Sequence, residues 1–261
     1  IGGATIGVAM FVVISALLNG SKAEIIKKVT GTSAHIIVKE KDREPKTLEE
    51  IDLSNLKPGT LLVTDQEKVS LRKAKVSSWP LLKEQLFKID ENVEALSPNA
   101  SGQCFISRGE KTMSVIVDGV IPEMADKVIN VSDKVKEGSF LSMNNDQIVI
   151  GKKLAKDLGV KLKDRVRLLS AEGVTRTCMV SGIYSLGVGN LDGGFAFTTL
   201  DNAQQLFKLD NDIISLEIHL KDIYSADKVA DKIKAQTEYE AESWMTTNIG
   251  LMQAIKAQDN T

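Results

Sequence analysis

The stretch ISLEIHLKDIYSADKVADKIKAQTEYEAES, residues 214–243, changes its hydrophobic period twice. Ile214, Leu216, Ile218 and Leu220 alternate with Ser215, Glu217 and His219, the period-two pattern of a strand with one buried face. Ala226, Val229, Ala230 and Ile233 then recur at helical spacing, and Tyr239 to Ser243 form a last short strand. The segment is a β-α-β unit.

A matching half lies upstream. Ala34 to Lys39 reads as a strand, and Trp79 to Ile89 as a helix with Pro80 in its first turn and Leu82, Leu86 and Ile89 on one face. Val93 to Ile106 and Thr112 to Val120 are strands joined by a turn at Arg108, Gly109 and Glu110. Between the halves the pattern differs. Asp146 to Ile150, Arg165 to Leu169, Arg176 to Ile183 and Phe195 to Thr199 read as strands, mostly separated by glycine-bearing turns. A short helix, Lys152 to Leu158, is stopped by Gly159. The expected fold is α+β: a split β-α-β (ferredoxin-like) subdomain over 32–122 and 210–243, with a mainly-β subdomain inserted at 123–209. In that topology the first and last strands are antiparallel neighbours, so the chain enters and leaves at one end. The polar stretch from Glu40 to Ser78 suggests only a short hairpin, Leu61 to Val63 with Val69 to Val76.

The two ends of the chain carry a further signal. Ile1 to Leu18 contains no charge, and 18 helical residues span roughly 27 Å, close to the hydrocarbon thickness of a bilayer. Residues 1–20 are therefore expected to form part of a first transmembrane helix, rather than a buried core helix. Gly3 and Gly7 are spaced for close approach of another helix. Over residues 21–31, Ile25 and Val29 continue one apolar face opposite Lys22, Glu24, Lys27 and Lys28, which predicts a stalk ending at Gly31. Beyond 243, Trp244, Asn248, Leu251 and Ile255 return to helical spacing, so 244–261 reads as the start of a helix leading to a second membrane span.

Composition narrows the function. The 261 residues hold 33 Lys and Arg against 35 Asp and Glu, a net charge of -2 that gives no electrostatic reason to expect nucleic acid. Cys104 and Cys178 both sit in strand-like runs and are expected to be buried thiols. No P-loop, H-E-x-x-H or G-x-S-x-G occurs, and Gly187-Val188-Gly189 lacks the third glycine of a dinucleotide fingerprint. The two histidines, His35 and His219, suit structural roles, His219 on the polar face of its strand. No catalytic, metal or cofactor site is expected, and the chain reads as a non-enzyme. Gly187 to Gly194 reads as a mobile loop, whose Leu186, Val188, Leu191 and Phe195 are candidate contacts for a cargo or partner, against their ordinary use in local packing.

Taken in order, several short motifs resemble the permeases of the lipoprotein-releasing LolC/LolE family, with MacB and FtsX as more distant kin. They are the start from Thr5 to Gly20, the strand start Ala34-His35-Ile36, and Val117 to Pro122, similar to V-x-G-V-x-P. Gln147 to Gly151, Leu154-Ala155, Leu158 to Val160 and Asp164 to Val166 resemble I-x-I-G, LA, LGV and GD-x-V; Val180 to Tyr184 and Asp201 to Leu206 follow, and Trp244, Asn248 and Leu251 are similar to a closing W-x3-N-x2-L. The resemblance implies a porter-type subdomain with a β-rich insert, set in the periplasm between two membrane helices of a bacterial inner-membrane permease. It implies a cytoplasmic ATPase on a separate chain, a second permease copy or paralogue, and a lipoprotein or other hydrophobic cargo. MacB-like efflux of peptides or drugs and FtsX-like regulation of cell-wall hydrolases are the alternatives. Members that recruit a soluble carrier have a long proline-containing hook between two strands, whereas Ser170 to Thr175 is a short turn here.

Overall fold

The computed structural model describes residues 31, 33–41, 75–187, 189–250 and 253. The expected membrane span, with Gly3 and Gly7, the hairpin strand 61–63 and Leu251 lie outside the described residues. Among the described residues, no helix is long and apolar enough to cross a membrane.

Strand β1 (Ile36–Glu40) leads to helix α1 (Trp79–Ile89), then β2 (Val93–Arg108) and β3 (Lys111–Val120). Helix α2 (Pro122–Ile129) follows, then β4 (Val135–Gly138), β5 (Gln147–Gly151), α3 (Lys152–Leu158), β6 (Arg165–Ser170) and β7 (Thr175–Tyr184). The remainder is α4 (Gly189–Gly194), β8 (Phe195–Thr199), α5 (Leu200–Phe207), β9 (Ser215–Leu220), α6 (Ala226–Gln236), β10 (Tyr239–Ser243) and α7 (Trp244–Thr247).

Strand order resolves this list into two bodies that share one strand. Four strands form an antiparallel sheet in the order β10-β1-β9-β2. Leu216, Ile218 and Leu220 of β9 bury their side chains with Ile36 and Val38 of β1, under Leu82 and Leu86 of α1 and Val229 and Ile233 of α6. The alternation read in residues 214–220 thus points its apolar half at the two helices. β1 and β10 pair from Ile36↔Ser243 to Glu40↔Tyr239, so the chain enters and leaves this sheet side by side.

β2 runs 16 residues, roughly 50 Å at the strand rise, far longer than the sheet needs. Its first half pairs with β9 and its second half with β3 and β6. β3 continues to β8, β8 to β5, β5 to β7, and β7 to β6, which returns to β2. The ring closes. Six strands form a small barrel, filled by Ile106, Val117, Ile148, Ile150, Leu168 and Val180. Closure leaves the shared strand no free edge over its second half. β3, grouped with the first subdomain on sequence, pairs with β2 and β8 rather than with β9, β1 or β10. Cys104 and Cys178 are both buried free thiols in the barrel strands β2 and β7, as their strand context predicts.

Several local signals are used as read. Gly109 has φ +59 in the β2–β3 turn, and Gly159 ends α3 at φ +72, its N–H bonded to the carbonyls of Ala155 and Lys156. The 170–175 link is a tight hairpin, with the Gly173 N–H donating to the Ser170 carbonyl at 3.0 Å. Helix α2 is not foreseen in the sequence, where Pro122 closes the motif Val117 to Pro122. It packs Ala125, Val128 and Ile129 into a second core with Ala95, Phe140, Val149, Tyr184 and Phe197. It also covers part of the polar face of β9: the His219 ring is half-buried, its Nδ1 3.2 Å from the Val128 carbonyl of α2. His219 also stacks at 4.2 Å on buried His35, whose Nδ1 accepts from the Leu220 N–H. Both histidines are structural.

Candidate functional site

The second face of the four-stranded sheet carries its polar side chains in one row. Glu242 of β10 stands opposite Ile37 of β1, Ile37 opposite Glu217 of β9, and Glu217 opposite Ser97 of β2. Asn99 lies two residues further along β2, and Asp118 on β3 is paired with Ser101. This face does not meet the barrel flush. A cavity of about 610 Å³ lies between them, lined by Glu217, Asn99 and Asp118 and walled mostly by apolar side chains.

Three of those side chains are the predicted contacts Leu186, Leu191 and Phe195, joined by Ile37, Ile129 and Phe197. Val188, the fourth, lies outside the described residues. The expectation of a mobile loop is corrected: residues 189–194 form the short helix α4. Buried Asp192 explains the order. Its carboxylate accepts from the Leu186 N–H at 2.7 Å and the Ser185 hydroxyl at 2.8 Å, which turns Leu186 and Leu191 to the same cavity. Gly151 permits the fit, since a Cβ there would overlap the backbone of Asp192. The buried Tyr184 hydroxyl donates to the Phe195 carbonyl at 3.1 Å and holds the facing wall.

Trp244 and Asn248, read in the sequence as part of an outgoing helix, line the cavity where the chain leaves the sheet. The Trp244 N–H donates to the His35 carbonyl at 2.9 Å, and its indole Nε1 donates to the Ile223 carbonyl at 2.9 Å. One buried residue therefore ties the incoming strand, through its backbone, and the segment before α6, through its indole, to the outgoing helix.

Electrostatically the cavity is one-sided. Burial pushes the Glu217 carboxyl up to about 7, only partly offset by the Asn99 amide, which donates to Glu217 Oε1 at 2.7 Å. Burial also raises Asp118, against the lowering effect of Ser101 and Asn99. Sequence reading missed Asn99, Asp118 and Glu217 as a group. The one visible signal is a glutamate set directly between two apolar residues, Leu216 and Ile218, within a strand. No group of histidine, cysteine and carboxylate suited to a metal occurs among the described residues.

The MacB-like periplasmic core domain family model matches residues 1–236. The chain belongs to that family. It is 25% identical over 190 residues to the lipoprotein-releasing system transmembrane protein LolC of Neisseria meningitidis serogroup B, covering 66% of this chain and 46% of LolC. LolC of Xylella fastidiosa (strain 9a5c) is 25% identical over 182 residues, 65% of this chain and 44% of the relative. LolE of Haemophilus influenzae is 28% identical over 162 residues, 58% and 38% respectively. The chain thus spans less than half the length of these relatives. The periplasmic region of MacB from Actinobacillus actinomycetemcomitans shares the fold, with a TM-score of 0.52 at 12% identity over 90% of this chain and 96% of that one.

Proposed function

We propose that this chain is the periplasmic part of an ABC transporter permease of the lipoprotein-releasing type. In this reading it couples ATP hydrolysis on a separate cytoplasmic subunit to release of a lipoprotein from the bacterial inner membrane. Residues 1–20 and the chain beyond 244 would then be membrane-anchored, with 21–31 as a stalk. The split β-α-β subdomain (32–122 and 210–243) would serve as a porter-like unit and 123–209 as its β-rich insert. The permease would work as a pair, with a second copy or a paralogue.

The observation that carries this reading is the side-by-side exit of the chain. β1 and β10 are antiparallel neighbours, and Trp244 is bonded to His35 just where both leave the sheet. Movement of two stalks would reach the sheet through adjacent strands. The relatives named for lipoprotein release support that cargo. The short 170–175 turn argues against carrier capture by a hook at that site.

Cysteine pairs joining 21–31 to 249–261 test the coupling, and the two buried native thiols leave the background low. Oxidation is expected to stop release of a lipoprotein from the membrane while the partner ATPase keeps turning over. Undiminished release from the crosslinked permease contradicts the mechanism.

A further inference from the structure

The cavity between the sheet and the barrel has an unmet hydrogen-bonding need of one kind. Asn99 is only 6% exposed and lines the cavity, yet its Oδ1 has no hydrogen-bond partner. Its amide nitrogen is already committed to Glu217 Oε1. The donors nearby are committed as well: the Trp244 indole to Ile223, the Tyr184 hydroxyl to Phe195, the Asn248 amide to the Trp244 carbonyl at 2.8 Å, and the Thr247 hydroxyl to the Ser243 carbonyl at 3.1 Å. Acceptors therefore stand in excess, on the Asn99 amide and the carboxyls of Glu217 and Asp118, while the walls of Leu186, Leu191, Phe195 and Ile129 are apolar. A buried acceptor without a donor costs free energy that a ligand can recover. An ammonium group carries three donors and no acceptor, and a positive charge matched to carboxylates.

From this we infer that the cavity is a binding site for an amphiphilic amine, with its alkyl or aromatic body against the apolar walls and its ammonium on Asn99, Glu217 and Asp118. A fatty acid or phosphate head would bring acceptors to acceptors and negative charge to carboxylates. A neutral alcohol would satisfy one acceptor without the charge. The inference stands apart from the transport reading, since binding is read without nucleotide or partner.

The test is direct. The full chain in detergent at pH 8.5, above the range in which Glu217 keeps its proton, with Trp79→Phe so that Trp244 reports alone, is titrated with octylamine, octanol and octanoate at equal detergent. Octylamine is expected to bind about tenfold tighter than octanol, the worth of one charge-assisted hydrogen bond, and octanoate to bind weakest. Glu217→Gln should bring octylamine to the level of octanol. Leu191→Phe, which narrows the cavity from the wall without adding a second indole, should weaken both and keeps the test open if the first variant fails to fold. Equal affinity for the three probes, an amine preference unchanged by Glu217→Gln, or affinities unchanged by Leu191→Phe overturns the assignment.

Discussion

Glu217→Gln is expected to raise the stability of the chain by about 2–3 kcal/mol at pH 8.5 and to change it little at pH 4. The folded protein holds the Glu217 proton up to about pH 7, from an ordinary value of 4.5, because burial disfavours the carboxylate. Between those values the folded state keeps a proton that the unfolded chain has released. Stability therefore falls as pH rises through this window, and above it the whole difference is lost, at about 1.4 kcal/mol per pH unit. Glutamine keeps an acceptor for the Asn99 amide and removes the charge, so the variant escapes that loss. Asp118 shifts in the same direction for the same reason, so it steepens the wild-type decline. Thermal melts of both proteins across pH 4–8.5 decide the matter. Parallel curves would show that Glu217 ionises as freely folded as unfolded.

The second large effect falls at the foot of the sheet. Trp244 is 3% exposed and packs in the main core, while its backbone and indole N–H groups bond His35 and Ile223. Trp244→Ala is expected to cost about 3–5 kcal/mol, the usual range for emptying a large aromatic site. Trp244→Phe keeps most of the packing and orphans the Ile223 carbonyl, so about 1–2 kcal/mol is expected. Denaturant melts separate the two. If the alanine variant loses no more than the phenylalanine one, the indole bond rather than the packed ring holds the junction.

Much of the fold was legible because the relevant signals are local. The alternation from Ile214 to Leu220, the helical spacing in 226–233 and the glycine stops each describe a single element, and each element formed where read. The antiparallel pairing of β1 with β10 also followed from the order of elements. Closure of the barrel did not, because it depends on β2 overrunning β9 and pairing again with β6, and nothing in a strand's own period tells how many partners it will have. The cavity was half legible. Leu186, Leu191 and Phe195 stood out as apolar side chains in a glycine-rich stretch, whereas Asn99, Asp118 and Glu217 come from three strands far apart in sequence. Only register brings them to one face. The alternation puts Glu217 on the polar face of its strand and tells nothing of what covers that face; Ile129 of α2 and the barrel residues Tyr184, Phe195 and Phe197 line the same cavity.

If the proposed function holds, this domain belongs to a machine that moves a lipid-anchored protein out of the inner membrane. Depleting the chain in its own cells and fractionating the two membranes measures this most directly. Outer-membrane lipoproteins are expected to accumulate in the inner membrane as the chain disappears, and restoring the intact chain is expected to clear them. Normal lipoprotein sorting in depleted cells, with the defect falling instead on export of small peptides or on cell-wall cleavage, would contradict it.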